Sequence, residues 1–247
     1  MRFSFLAIPF CLFLWATPCA TFANSAESSF RDGADAYHAG DYARAAQSFA
    51  ESAQQQPSSG ALQNLGNAEW QHGQVGASIL AWEQARWIDP WNESARSNLR
   101  FARKAAQLEA PELTWYEVVS TWLPLNWWAW IAGFSLWLAV GLGMMPALLR
   151  WRKAAWPQVA AAFGLMIFLL SIPAHIGIHT RSHIGFILQK ATTLRLTPTT
   201  EAQIFARLSP GDPARIVRTR GNYVLLRTSH TTGWVERSQF GPMCPLK

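Results

Sequence analysis

Two long runs without an acidic or basic residue, histidine aside, constrain the fold of this chain more than any other feature. They extend from Val118 to Leu149 and from Ala154 to Thr180, with only "RWRK" between them. Each run exceeds the roughly 20 apolar residues that a helix needs to cross a bilayer. One helix through both would rise about 1.5 Å per residue and greatly exceed the ~30 Å hydrocarbon core. The chain is therefore expected to turn back between them.

The charges between the runs predict where this turn lies and which side of the membrane it faces. Three of them are positive: Arg150, Arg152 and Lys153. Each would cost about 2.5–3.5 kcal/mol at the centre of a spanning helix, and positive charges in short loops stay in the cytoplasm. We therefore predict transmembrane helices over residues 126–149 and 154–178, joined by a cytoplasmic turn over 150–153.

Residues 1–23 have the pattern of a secretory signal peptide. Arg2 precedes a short apolar run, and small residues ending at Ala23 form a cleavage site. Lipoprotein processing at Cys19 is the alternative, although Pro18 fits that signal poorly. A signal peptide would carry residues 24–117 to the side where both outer ends of the hairpin emerge. We therefore predict a bacterial inner-membrane protein with both soluble parts in the periplasm.

A 33-residue repeat occupies the first part of the chain. Five pairs of similar residues recur at this interval: Gly33 and Gly66, Tyr37 and Trp70, Gly40 and Gly73, Phe49 and Trp82, Pro57 and Pro90. Such a period indicates stacked helical hairpins. The spacing of Ala95, Leu99 and Ala102 predicts a further, capping helix. Together they predict an all-α domain over residues 26–109.

These repeats resemble the tetratricopeptide repeat over residues 26–91, most clearly in the second copy, "LGNAEW". The resemblance implies a concave groove that binds peptides or protein segments. The matching positions are Ala34, Tyr37, His38, Asn67, Trp70 and Gln71. For Tyr37 and Trp70 a role in the core is the alternative. Since three or more repeats are usual, we expect a partner or the membrane to cover the remaining apolar surface.

Short β-rich runs follow the second apolar segment. We predict five strands between residues 188 and 243, in a small barrel or sandwich, with a hairpin turn at "RGN", residues 220–222. The runs "LRLTPT", "LSPGDPARIV", "NYVLLR" and "GWV" resemble the bacterial SH3 domain. That resemblance implies binding of peptides or cell-wall material on a face with Tyr223 and Trp234. For Trp234, packing inside the barrel is the alternative.

The charge of the chain is divided between its two ends. Residues 24–117 carry seven basic and twelve acidic residues, whereas residues 179–247 carry ten basic and three acidic ones. This division does not favour nucleic-acid binding. The arginines of the β module are expected on a solvated face, or against anionic lipid, a cell-wall polymer or the acidic repeats.

No pattern of catalytic residues occurs in the sequence. It has no Gly-rich phosphate loop, paired cysteines or nucleophile elbow, so we predict neither an enzyme nor a cofactor. His175, His179 and His183 recur every fourth residue. A pair at this spacing suits a metal, but the third lies about 12 Å from the first along a helix. We expect no metal; a metal or redox sensor is the alternative.

The order of these parts resembles the BatE-type aerotolerance (Bat) membrane proteins. The fold class is then a multidomain membrane protein with all-α TPR-like repeats, a two-helix transmembrane hairpin and an all-β SH3-like barrel. The resemblance implies a non-enzymatic scaffold for von Willebrand A-type Bat membrane proteins and, indirectly, a MoxR-type ATPase, in aerotolerance or oxidative and envelope stress. The alternative is a membrane anchor that binds the cell wall (peptidoglycan) through its SH3-like domain.

Overall fold

The computed structural model describes residues 20–148 and 155–244 of the chain. Within these ranges it has eight α-helices and a seven-stranded antiparallel sheet. The prediction of a helical part and an all-β part is therefore confirmed. Residues 1–19 of the predicted signal peptide lie outside the described residues, as do Arg150, Arg152 and Lys153 of the predicted turn.

Five helices form the first part of the fold. They are α1 (Ala20–His38), α2 (Tyr42–Gln55), α3 (Ser59–Gln71), α4 (Val75–Ile88) and α5 (Glu93–Ala106). Each packs against the next along the chain, as helical repeats do. Side-chain oxygens of Asp41, Ser58 and Asn92 accept backbone N–H groups at the starts of α2, α3 and α5. These caps satisfy donors that a helix start leaves unpaired.

The 33-residue period corresponds to a repeated contact between helices. A Cβ atom added to Gly33 would lie 2.9 Å from the Phe49 ring, and one added to Gly66 would lie 2.5 Å from Trp82. Only glycine therefore lets the first helix of each pair approach the aromatic side chain of the second. Gly40 and Gly73 both have a φ of 80° in the turn between those helices.

Three further helices follow the repeats. They are α6 (Trp115–Ser120), α7 (Leu125–Leu148) and α8 (Trp156–Arg181). The last two pack in antiparallel directions, since Gly164 of α8 lies against Ser135 and Ala161 lies against Gly143. Both are long and apolar enough to cross a membrane. Their side chains face outward to a large extent: Trp130 is 75% exposed, Trp137 77% and Leu170 67%.

Seven strands form one antiparallel sheet. They are β1 (Ile184–Ile187), β2 (Thr192–Arg195), β3 (Ile204–Leu208), β4 (Pro213–Arg220), β5 (Tyr223–Arg227), β6 (Thr232–Glu236) and β7 (Phe240–Pro242). Their order is β3-β2-β6-β5-β4-β1-β7. The prediction of five strands omits β1 and β7, which pair with each other beside β4. The sheet therefore begins before residue 188, directly after α8.

Strand β1 is buried on both faces and joins the two parts of the protein. Ile184 and Phe186 belong to the core of the helical repeats, with Ile79, Trp82, Leu99 and Met243. Ile187 belongs to the core of the sheet, with Leu194, Val224 and Leu226. The chain's own sheet thus covers apolar surface of the repeats for which a partner or the membrane was expected.

The approach of helix α4 to strand β1 depends on Gly76. A Cβ atom there would lie 2.4 Å from the Ile187 carbonyl oxygen and 2.5 Å from that of Leu188. The side-chain amide of Gln84 donates a hydrogen bond of 3.0 Å to the Pro242 carbonyl at the other end of the same contact. The acidic and basic parts therefore dock mainly through apolar packing between α4, β1 and β7.

Substitution of Gly66 tests the contact that the repeat predicts. We expect Gly66→Ala to lower the free energy of unfolding by about 1–3 kcal/mol, because the added methyl group overlaps Trp82. Gly60→Ala is the control: it lies in the same helix with open space around it, and should gain roughly 0.5–1 kcal/mol. Denaturant titration in detergent measures both. Equal effects of the two substitutions would contradict the close contact.

Candidate functional site

The predicted groove residues lie together on one side of the helical repeats. Tyr37 and His38 come from the end of α1, and Asn67, Trp70 and Gln71 come from α3. They line two neighbouring cavities of about 210 and 340 Å³ that share Tyr37 and Asn67. Ala34, the sixth predicted position, also lines the smaller cavity, so the described structure brings all six residues to these two adjoining cavities, which together form the groove.

The two aromatic residues of the groove each have a packed side and an accessible side. The Trp70 ring lies 6.0 Å from that of Trp82 and 5.8 Å from that of Phe101, between centroids. The Tyr37 ring lies 5.3 Å from that of Tyr42. Trp70 and Tyr37 are both half-buried and line the groove. They therefore support the fold and also present apolar surface to the groove.

Asn67 forms hydrogen bonds that connect three helices of the repeats. Its Oδ1 atom accepts a hydrogen bond from Trp82 Nε1 at 3.1 Å and another from Asn98 Nδ2 at 2.8 Å. One side chain of α3 thereby fixes a residue of α4 and a residue of α5. Asn67 also lines the groove, together with Tyr37 and Trp70.

Helix α5 supplies groove residues that the sequence analysis did not name. Asn98 and Phe101 line the larger cavity. Phe101 is 63% exposed and therefore adds accessible apolar surface to the groove. The signal available in the sequence was its position, since Phe101 precedes Ala102 and falls outside the buried stripe of this helix.

Tyr223 and Trp234 share the outer face of the sheet. Tyr223 is paired with Glu236, and Trp234 with Leu225, while Val224 and Val235 point inward and are buried. Trp234 therefore lies on the face opposite the buried core of the sheet, and is half-buried there. Across the neighbouring strands, Arg195 is paired with Trp234 and Arg218 with Leu225. The outer face thus combines aromatic and basic side chains.

A buried ion pair joins α6 to the sheet. Arg215 of β4 donates to both carboxylate oxygens of Glu117, at 2.6 and 2.7 Å. Glu117 also accepts the Thr114 backbone N–H at 2.8 Å, which caps α6. Burial raises the pKa of Glu117, but hydrogen bonds from Arg215 and Thr114 outweigh it and lower this pKa to about 2. Glu117 therefore stays ionised in the folded protein at all physiological pH values.

The end of helix α8 meets the same junction. Its last residue, Arg181, is only 9% exposed. Arg181 Nη1 donates to Ser120 Oγ at 3.0 Å, and its guanidinium carbon lies 4.9 Å from the centroid of the Trp87 ring. Arg181 thereby connects α8 to α6 and α4. The repeats, the apolar helices and the sheet all meet within a few side chains of Glu117 and Arg181.

His175, His179 and His183 lie at and just beyond the C-terminal end of α8. His175 Nδ1 lies 2.9 Å from the Ser171 carbonyl oxygen, and His183 Nδ1 lies 3.1 Å from that of His179. The rings of His179 and His183 are 5.2 Å apart. Among the described residues, no group of three or more His, Cys, Asp or Glu side chains is arranged to hold a metal ion.

Comparison with known protein families, with curated proteins and with solved structures finds no match to this chain. The groove, the outer face of the sheet and the apolar helix pair are therefore the features from which a function is inferred.

The charge on Glu117 should control stability in acid. Its contribution is fully present above the unfolded-state pKa of 4.5 and is lost as the pH falls toward the folded-state value of about 2. We expect Glu117→Gln to lower the free energy of unfolding by about 3 kcal/mol at pH 7 and to flatten its dependence on pH in that window.

Glu93→Gln is the matched control for this prediction. Glu93 forms an exposed ion pair with Arg96, which is worth less than about 1 kcal/mol. Unfolding followed by circular dichroism at pH 7 and pH 3 compares the two variants with the unmodified protein. A loss in Glu117→Gln no greater than that in Glu93→Gln would refute the role of the buried pair.

Proposed function

We propose that this protein is a non-enzymatic, membrane-anchored scaffold that binds a protein partner in the groove between α1, α3 and α5. The observation that carries the proposal is the groove itself, which consists of two adjoining cavities lined by the six residues that the repeat resemblance selects. Its mixture of aromatic and amide side chains suits an extended or helical protein segment. The aromatic rings of the groove can bury apolar side chains of the partner, and the amide groups can form hydrogen bonds with its backbone.

Helices α7 and α8 are proposed to form a transmembrane hairpin. Support comes from their length, their composition and the outward direction of large apolar side chains such as Trp137 and Leu170. Soluble monomers rarely expose a contiguous apolar surface of this extent. With Arg150, Arg152 and Lys153 in the cytoplasm, the repeats and the sheet lie in the periplasm, at the inner membrane of a bacterium.

The partners follow from the proposed family, the BatE-type aerotolerance proteins. We propose that the groove binds a segment of a von Willebrand A-type Bat membrane protein, which links the complex to a MoxR-type ATPase. The sheet is proposed to be an SH3-like barrel that holds a second partner on the face with Tyr223 and Trp234. In this role the protein assembles a complex for aerotolerance and envelope stress, without nucleic acid, metal or cofactor.

Peptidoglycan binding is the second candidate. It is favoured by the pairing of Arg195 with Trp234 on the outer face of the sheet, since aromatic rings stack on sugars and arginines pair with carboxylates. In that case the sheet, and not the groove, makes the functional contact.

The membrane orientation is testable with engineered thiols. We expect a membrane-impermeant maleimide, added to intact spheroplasts, to label Gln54→Cys in the repeats and Ser229→Cys in the sheet, because both positions are exposed and proposed to be periplasmic. Ala154→Cys, directly after the basic turn, should react only after the membrane is permeabilised; Cys244 is replaced by serine in all three variants, because it is a partly exposed free thiol. Labelling of Ala154→Cys alone in intact spheroplasts would reverse the proposed topology.

Site-specific photo-crosslinking tests the groove. A photoreactive amino acid at Gln71 lies in the groove, whereas the same residue at Gln54 lies on exposed surface of α2 outside it. We expect a crosslink to a co-expressed von Willebrand A-type membrane protein from Gln71 and at least about tenfold less from Gln54, since the groove makes the contact.

Sedimentation of the full-length protein with purified peptidoglycan separates the two candidates. Trp234→Ala should leave the crosslink from Gln71 unchanged if the groove is the main binding site. Equal crosslinks from Gln71 and Gln54 would contradict the scaffold proposal. If the protein also sediments with peptidoglycan and Trp234→Ala does not, the cell-wall anchor is the correct function.

A further inference from the structure

A third cavity, of about 180 Å³, lies at the junction of the repeats with the end of helix α8. Three arginines line it: Arg86 of α4, Arg103 of α5 and Arg181 of α8. The carboxylate of Glu83 also lines it. The cavity is far larger than the space one water molecule needs. Its walls therefore enclose room for a small polar group among several positive charges.

The carboxylates near this cavity do not balance its arginines. Glu83 forms an ion pair with Arg103, and both side chains are largely buried. Glu117, the next carboxylate of the junction, is engaged at both oxygens by Arg215. Among the described residues, neither Arg86 nor Arg181 has a carboxylate within ion-pair distance. Arg86 and Arg181 thus form no ion pair of their own, and Glu83 and Glu117, the carboxylates that act electrostatically on Arg181, are already paired with Arg103 and Arg215.

Burial makes the charge of Arg181 costly, whereas Arg86 is half-buried. Arg181 is about nine-tenths buried, and its guanidinium donates a hydrogen bond to Ser120 and lies over the Trp87 ring. The Nε atom of Arg86 is buried without a hydrogen-bond partner among the described residues. A buried positive charge normally has an anionic partner and saturated hydrogen bonds. Arg86 and Arg181 both line the cavity, so an anion inside it would lie beside both guanidinium groups.

We propose that this cavity binds the phosphate group of an anionic ligand between Arg86 and Arg181. Guanidinium groups donate several parallel hydrogen bonds that match the oxygens of a phosphate, and a phosphate would neutralise both free charges at once. Arg103, held by Glu83, completes the positive wall. The ligand chemistry is that of a phosphate ester or of phosphate itself.

The position of the cavity favours a phospholipid headgroup as the source of that phosphate. Arg181 is the last residue of α8, and Leu113 and Thr121, which flank α6 just before α7, also line the cavity. If α7 and α8 cross the membrane, as proposed above, the cavity lies at the level of the headgroups of the outer leaflet. A bound headgroup would then attach the repeats to the membrane surface beside the hairpin.

Native mass spectrometry of the full-length protein in maltoside detergent tests the site. We expect phosphatidylglycerol to remain bound, whereas dioleoylglycerol, which lacks the phosphate, does not. Arg86→Gln should weaken phosphatidylglycerol binding by about tenfold, as expected for one lost charge-assisted contact. Arg44→Gln is the control: it removes an exposed arginine of α2 outside the cavity, and binding should be unchanged.

Thermal unfolding distinguishes the two sources of phosphate. If inorganic phosphate raises the unfolding temperature of the unmodified protein but not that of Arg86→Gln, the cavity binds phosphate. If the lipid fails to bind in that case, the ligand of the cavity is a soluble phosphate compound. Lipid binding that is equal in Arg86→Gln and Arg44→Gln overturns the site, as does the absence of any effect of either ligand.

The same measurement checks that Arg86 is free of a structural partner. Without phosphate or lipid, Arg86→Gln should be at least as stable as the unmodified protein, because it removes an uncompensated charge. A clear loss of stability under those conditions would contradict the proposal. Binding in detergent requires neither a partner in the groove nor a particular membrane orientation, so its failure counts against the cavity alone.

Discussion

The burial of strand β1 on both faces is the constraint on which the rest of the structure depends. Ile184 and Phe186 pack into the helical repeats, and Ile187 packs into the sheet. Two repeats and one capping helix would otherwise leave the apolar side of α4 in water. Because this strand starts directly after α8, the same contact determines where the apolar helix pair leaves the body of the protein.

The ion pair between Arg215 and Glu117 fixes the relative orientation of the parts that this apolar contact joins. Apolar packing tolerates sliding, whereas the two parallel hydrogen bonds between Arg215 and Glu117 require one relative orientation. Arg181 also fixes the position of the end of α8, because it donates a hydrogen bond to Ser120 of α6 and packs against the Trp87 ring of α4. Removal of one partner from such a buried pair is far more costly than loss of a surface ion pair. The groove and the outer face of the sheet are therefore held in a defined relation to the apolar helices.

The features that sequence patterns predicted are those set by local spacing. The interval between Gly33 and Gly66 located the helix pairs, and the tetratricopeptide resemblance then pointed to Tyr37 and Trp70 as groove residues. Short β-rich runs separated by Pro, Gly and Asn located β5 and β6, and the SH3 resemblance pointed to Tyr223 and Trp234. Strand β1 was missed because its four residues are apolar on both faces and continue the apolar character of α8. Neither a period of two nor a change in composition marks such a strand.

By itself, the sequence determined the helical repeats, the two apolar helices and the type of residue that lines the groove. These depend on periodicity and on transfer free energies, which neighbouring residues already define. Only the tertiary structure decided that the sheet covers the repeats and that Glu117 meets Arg215, 98 positions away along the chain. The number of positive and negative side chains around Arg86 and Arg181 was likewise decided by the tertiary structure. Contacts between residues far apart in the sequence depend on which surfaces pack together and exclude water. No local sequence pattern contains that information.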